Sequence, residues 1–407
     1  MPTRESKGGA LWLKYGGNPA DAAGSSVPID IIGGDFNAVE SAPKVLDLGK
    51  PVRVPLKSGS YFVRAFLPSG EVVTRQARVG PEGDTIVSIR PAKTSRHESL
   101  TWAYLLKSVP DGGRAAVDPI LESLPVDAPR APVSERPGIE MRLWTHDSSR
   151  RNVWERVEGN LPLSRGAAGD DPNALAEASV DVPPQGQAWL EVRGGGFPSR
   201  FVALAPNASG PTHVLVVADD RSEPAFDPVD VMVSLGDRRS EAILSYLALG
   251  SIEEARRLGG SLVDQCEEML ARKKGDPIAA TVAAYYLLKA SALDRLHDWT
   301  MNLAELFPWL PDGPVIRAWH LLRLPDPDPK EVRDLLVAAA ARGLPLFTQG
   351  FRLLYDGLGL VARSEPEDTS APLALESIRP YAASANWSAL MTTFYGDDPN
   401  QPKLPSA

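Results

Sequence analysis

The residues best able to do chemistry are few and scattered. One cysteine, Cys266, stands in LVDQCEEML, with Leu262 and Leu270 one helical turn to either side. The carboxylates beside it raise a thiol pKa, the wrong direction for a nucleophile, so the spacing predicts a buried and inert side chain. A lone cysteine also excludes an intrachain disulfide and a cysteine-ligated zinc site. No Gly-x-Ser-x-Gly elbow exposes a serine. His97, His146, His213, His297 and His320 form neither a His-x-x-x-His pair nor a His-Glu-x-x-His motif, and capping or interface contacts are expected of His297 and His320.

Two segments come closer to a ligand site. Asp219, Asp220, Glu223, Asp227 and Asp230 have the oxygen density that calcium requires, without EF-hand spacing; a solvated turn after a strand accounts for the same residues. RGGGFPSR (193–200) sets glycines between two arginines. It lacks the Lys-Ser/Thr of a P-loop and precedes a strand, so no helix N-terminus would face a phosphate, and it reads as a strand-connecting turn. No catalytic residue, metal site or cofactor is expected, and the chain reads as a non-enzyme.

Aromatic and basic residues remain. Trp299, Trp309 and Trp319 recur in DWTMNLAELFPWLPDGPVIRAWHLL, but Pro308, Pro311 and Pro314 keep them off one helical face. The apolar loop FPWLPDGP either plugs a gap between helices or presents a docking surface, since Trp and Arg dominate interface hot spots. On the second reading Trp309, Arg317, Trp319, His320, Arg323, Arg352 and Tyr355 form a partner-binding surface. Arg317, Arg323, Arg333 and Arg352 would then rim a groove for an acidic or extended peptide.

The whole chain sets limits on that partner. It has 407 residues, 43% of them hydrophobic, and a formal net charge of −9. That balance disfavours non-specific binding to nucleic acid or an anionic membrane. No apolar run approaches the ~18–20 residues of a membrane span, and MPTRESKGGALWLKYGG holds no signal-type apolar core. A soluble, cytoplasmic protein is expected, bacterial by its excess of Arg over Lys and its abundant Ala, Gly and Pro.

The elements that must position these residues fall into two kinds. Residues 8–92 contain short runs rich in Val, Ile, Tyr and Phe, including PVRVPL, SYFVRAFL and DTIVSIR, and predict a first β-sandwich. Tyr61–Leu67 and Glu71–Val79 should pair across the LPSGE turn. A helix over 95–109 and a Pro-rich linker fill 93–137. Strands resume over 138–235 as a second sandwich, with 169–177 a surface loop. VRVPLKSGSYFVRAFLP from Val52 and VDVPPQGQAWLEVRGGG from Val180 share one pattern, as do DTIVSI and THVLVV beyond them. Duplication of one fold accounts for both pairs, and a generic strand-turn-strand phrase is the alternative.

Residues 237–395 predict helices. Ser251 and Glu254 make a capping box, Asp276-Pro277 and Asp328-Pro329 each set an N-cap before a proline, and Gly343 suits a C-terminal stop. The segment Ile278–Ala290 is apolar nearly all round and must lie between neighbours. Further helices are expected around 332–342, 347–363 and 372–383, and residues 396–407 as a disordered tail.

AATVAAYYLLKA, LHDWTMNLAELFP and VIRAWHLLRLPD resemble a degenerate tetratricopeptide-type array of helix pairs. The match lacks the Trp-x-x-Leu-Gly-x-x-Tyr phrase and a clean repeat. SGSYFVRAFLPSGE resembles immunoglobulin-like or PEGA-like sandwiches. These resemblances imply a multi-domain β + α protein, two antiparallel β-sandwiches followed by an α-helical repeat domain. They also imply binding: an adaptor for a protein partner, as an accessory subunit of a bacterial protease or defence assembly. The alternative is a ligand- or carbohydrate-binding regulatory subunit, which an exposed row of Tyr61, Trp144, Trp154 or Trp189 would support.

Overall fold

Alternation of apolar and polar residues produces strands wherever one face can be buried. The computed structural model describes residues 9–16, 26–34, 38–47, 50–66, 72–89 without 82, 138–146, 154–163, 174–218 without 195 and 209, 229–235, 240, 243–244, 247 and 260–405 without 366. The 95–109 helix, the Pro-rich linker, the LPSGE turn, the Ser251 capping box and most of the acidic 219–230 loop lie outside the described residues. The chain divides into two compact units, Met1–Pro125 with Glu241–Asp264, and Val126–Ser240 with Gln265–Ala407.

The first unit holds β1 (Gly9–Tyr15), β2 (Ser26–Gly33), β3 (Val45–Asp47), β4 (Val52–Leu56), β5 (Gly59–Phe66), β6 (Val72–Val79) and β7 (Asp84–Ile89). They form two sheets, β4-β1-β7 and β3-β2-β5-β6. Leu11, Leu13, Ile29, Ile31, Val63 and Ala65, alternate positions on three strands, enter one shared core. The expected hairpin is present, with Gly59 opposite Val79 and Phe66 opposite Val72. The all-antiparallel expectation fails at one place, because β1 and β7 run parallel. Side-chain alternation has the same period in both ladder types, so it carries no strand direction.

The second unit holds β8 (Ile139–His146), β9 (Trp154–Arg156), β10 (Ala174–Val180), β11 (Ala188–Gly194), β12 (Phe197–Leu204), β13 (Thr212–Ala218) and β14 (Val229–Val233). The order β9-β8-β11-β12 repeats the order β3-β2-β5-β6 of the first unit, strand for strand. In both, the Val-x-Val-Pro passage leaves the smaller sheet (β4, β10) and enters an interior strand of the larger (β5, β11). This common plan is what duplication requires. The smaller sheets differ: β1 separates β4 from β7, whereas β10 pairs directly with β13.

Seven helices follow among the described residues: α1 (Gly260–Ala271), α2 (Pro277–Lys289), α3 (Trp299–Leu306), α4 (Asp312–Leu321), α5 (Pro329–Arg342), α6 (Thr348–Ser364) and α7 (Ser370–Ala383). Asp276 caps α2 through Ala279 N at 2.9 Å, and Asp328 caps α5 through Lys330 N at 2.9 Å. Each cap satisfies an amide that the first helical turn leaves free. Gly343 ends α5 at φ 121°, a conformation that disfavours any side chain. Every residue from Ile278 to Leu288 is buried, as an all-round apolar helix requires. Helix α2 meets α3 and α4, α4 meets α5 and α6, and α5 meets α6 and α7. Thus α2, α4 and α6 form one row.

The chain then re-enters the sheet, a correction to the expected disordered tail over 396–407. Strand β15 (Thr393–Asp398) pairs with β12, and β16 (Gln401–Pro402) pairs with β15. The sheet order becomes β16-β15-β12-β11-β8-β9. TFYGDD is too short and too polar after its aromatic pair to be read as a strand alone. The open edge of β12 supplies the partner: Phe394 lies opposite Phe201, their rings stacked at 5.3 Å, with Trp189 edge-on at 4.9 Å.

Three layers result in this unit. On one face of the six-stranded sheet, Arg200 Nη1 reaches the Val229 carbonyl of β14 at 2.6 Å. On the other, Tyr381 of α7 packs edge-on to Phe394 at 5.1 Å, and Gln187, just before β11, reaches the loop ahead of α4. The second β region and helices α2 to α7 therefore share one unit.

Candidate functional site

The row α2-α4-α6 is set by a buried polar node. Asp312, first residue of α4, accepts from Tyr285 Oη of α2 at 2.7 Å and from Leu346 N at 2.8 Å. Burial pushes the Asp312 carboxyl up to about 6, against the opposing pull of its donors. Burial likewise pushes the Tyr285 phenol well above its usual range, with the Asp312 charge adding to it. Gly350 of α6 is required beside this pair, since a Cβ there would overlap Tyr285 Oη and stand 2.7 Å from Asp312 Oδ1.

A second set of bonds holds FPWLPDGP. Gln187 Nε2 donates to the carbonyls of Trp309 at 3.0 Å and Arg342 at 3.1 Å. Arg342 Nη1 donates to the carbonyls of Phe307 at 3.2 Å and Leu310 at 3.3 Å. Leu310 is fully buried and Trp309 half-buried. The loop thus packs inside its own unit, which fits the gap-filling reading and leaves only part of the Trp309 ring in reach of a partner.

The remaining residues of the expected surface divide in two. Trp319 Nε1 donates to the Leu353 carbonyl of α6 at 2.9 Å, and His320 Nδ1 lies 3.0 Å from Thr300 Oγ1 in a buried contact with α3. Burial lowers the His320 pKa, and the neighbouring Arg317 charge lowers it further. Arg317 meets Glu331 at 3.5 Å and is mostly buried. Tyr355 is half-buried on α6. Trp319, His320 and Arg317 thus tie α4 to α6, α3 and α5.

Arg323 and Arg352 are different. Arg323 follows α4, is exposed, and donates through Nη1 to the carbonyl of Leu288 in the last turn of α2. Arg352 on α6 is exposed, donates to the Trp387 carbonyl at 3.2 Å and lies 5.7 Å above the Trp387 ring. That ring stacks on buried Phe351 at 5.1 Å. Lys289 ends α2 beside Leu288, and burial together with the Arg352 charge lowers its ammonium pKa. The two arginines therefore gather at the C-terminal end of α2. Among the described residues neither forms an ion pair, whereas Arg295, Arg317, Arg333 and Arg379 each meet a carboxylate.

Other chemical candidates are placed as follows. Cys266 is fully buried, and burial raises its thiol pKa. His146 packs edge-on to Trp154 at 5.3 Å, His213 lies 2.9 Å from Ser179 Oγ across β10–β13, and His297 bonds Glu267 at 2.7 Å. Among the described residues no group of three His, Cys, Asp or Glu could hold a metal ion. In RGGGFPSR, Gly194 closes β11 and Gly196, at φ 100°, stands just before β12. Arg193 and Arg200 at its ends are already engaged, by Glu140 and Glu191 and by Val229. No helix of the described residues is long and apolar enough to cross a membrane.

Sequence reasoning missed Asp312, Gln187 and Trp387. Asp312 read as part of a Pro-rich loop, and only its full burial singles it out. Gln187 read only as the first residue of a strand, QAWLEVRG, because the carbonyls it serves lie 122 and 155 positions away.

Residues 242–406 match the family described as the Y4kD C-terminal domain. The match takes in α1 to α7 together with β15 and β16, and leaves β8 to β14 outside it. No curated protein matches the chain, and no solved structure matches it.

Proposed function

We propose that this protein is a non-catalytic adaptor that binds a protein partner through its helices, at the surface where Arg323 and Arg352 stand by the C-terminal end of α2. The helices act as a short tetratricopeptide-like stack, and the second β region, in the same unit, holds it in place. The supporting contact pattern is that of a stack, each helix from α2 onward meeting the next and often the one after. One observation carries the reading. Arg323 and Arg352, in a chain of net charge −9, are fixed by backbone carbonyls and, among the described residues, meet no carboxylate. Each spends one donor on a neutral acceptor and keeps the rest of its planar fork for a partner. An accessory role in a bacterial protease or defence assembly, in the cytoplasm, is the setting we favour.

The carbohydrate reading has no comparable support. Trp189 is 2% exposed, Trp154 9% and Tyr61 9%, and the Trp144 indole is tied to Glu191 at 2.9 Å. The aromatic row it needed is not on the surface.

The test is co-expression of the full chain with the products of adjacent genes, followed by co-purification. A neighbour that co-purifies with wild-type protein, and not with Arg323→Glu/Arg352→Glu, supports the adaptor reading. A partner retained in full by the double variant removes it from this surface. A fragment spanning 237–395 is unsuitable, because it cuts β15 and discards β12.

A further inference from the structure

Resting on the adaptor reading, we infer that the surface at the end of α2 recognises a carboxylate-rich, extended segment of the partner. At least two acidic side chains would engage Arg323 and Arg352, and an adjacent apolar residue would cover the Trp387 edge.

Arg323 hangs on the last turn of α2, where carbonyls carry partial negative charge, so that turn orients the guanidinium without cancelling it. Arg352 is held from two directions, by the Trp387 carbonyl and the Trp387 ring, and the ring is itself backed by Phe351. Both guanidinium groups are thus ordered before a partner arrives, which lowers the entropy lost on binding. Asp356 stands one turn beyond Arg352 on α6, yet no ion pair of 4.0 Å or less joins them. The fork geometry of Arg matches a carboxylate in bidentate fashion, and two forks anchored on separate segments, one after α4 and one on α6, favour an extended segment over a single small anion. The half-buried Trp387 indole adds apolar area beside the charges, so acidic and apolar residues should alternate in the occupant.

The experiment uses the full chain and a fluorescein-labelled peptide of alternating glutamate and leucine. Controls are the same peptide with glutamine for glutamate, and heparin as a competitor of unrelated shape. The expected result is saturable anisotropy that weakens as salt rises. The glutamine peptide should bind at least about ten-fold more weakly, since each lost charged contact is worth about that factor. Arg352→Glu and Arg323→Glu should each lower affinity by a similar factor, and Arg352→Lys by less, with thermal midpoints unchanged. The proposal is overturned if glutamate and glutamine peptides bind alike, if heparin displaces the peptide as readily as unlabelled peptide does, or if folded charge-reversal variants bind normally. Loss of the co-purified partner alongside any of those results would leave an adaptor with a different recognition chemistry.

Discussion

Tyr285 Oη and Asp312 Oδ1 lie 2.7 Å apart in the interior, joining α2 to the first residue of α4. The same carboxylate takes the Leu346 amide on its other oxygen. One side chain therefore ties together two helices and the chain entering α6. Replacing it with alanine leaves buried donors without an acceptor, so Asp312→Ala should lose roughly 2–5 kcal/mol of stability in urea titration. Gly350→Ala should cost about 1–3 kcal/mol by forcing Tyr285 aside. A wild-type unfolding midpoint in either variant would remove the node.

The stability of this unit should depend on pH through two buried groups of opposite sign. The folded Asp312 carboxyl titrates near about 6, above the ~3.9 of an unfolded aspartate. Its contribution is complete below about pH 4 and is lost as pH rises toward 6. His320 is depressed when folded, so its contribution is complete above about pH 6.5 and is lost as pH falls. Against wild type, Asp312→Asn should therefore flatten the decline between about pH 4 and 6. His320→Gln should reduce the acid loss below about pH 6.5. Urea midpoints across pH give both slopes, and parallel curves for all three proteins would contradict the assignment.

Gln187 serves two carbonyls from one amide, on Trp309 and Arg342. Gln187→Leu keeps the approximate volume and strands both acceptors. A loss of roughly 1–3 kcal/mol is expected, with faster amide exchange over 307–313 as the local readout. Unaltered exchange there would show that Arg342 alone secures the loop.

Truncation should separate the true tail from the last strands. Lys403 N still bonds the Tyr395 carbonyl at 2.9 Å, so removing residues from 404 onward should leave the thermal midpoint near wild type. Removal from 393 onward exposes the β12 edge and empties the Phe394 site between Phe201 and Trp189. Loss of such a buried aromatic costs about 3–5 kcal/mol before the lost ladder is counted, and an open edge invites aggregation. A soluble, cooperative protein ending at 392 would show that β15 is dispensable.

Much of this architecture is written locally. Aspartates 276 and 328 cap because the grammar of an Asp-Pro helix start needs only adjacent residues. The burial of α2 follows from a composition with no polar face. The two Val-x-Val-Pro passages announced a shared plan because each encodes the same strand-turn-strand step, and the strand orders agree. Of the expected partner surface, Arg323 and Arg352 present exposed charge, while Trp319 and His320 turn inward. Residue type alone does not separate these cases, since Trp and His serve cores and interfaces equally well.

What sequence alone determined is the type of most described segments ahead of β15, since period, capping and turn chemistry act over a few residues. Tertiary structure decided everything that joins distant segments: the parallel β1–β7 pair, the return of β15 to β12, the Asp312 node and the Gln187 clamp. The physical reason is the same in each case. A backbone edge, a buried carboxylate or an amide has no preferred partner until burial removes water as the alternative, and burial belongs to the assembled unit.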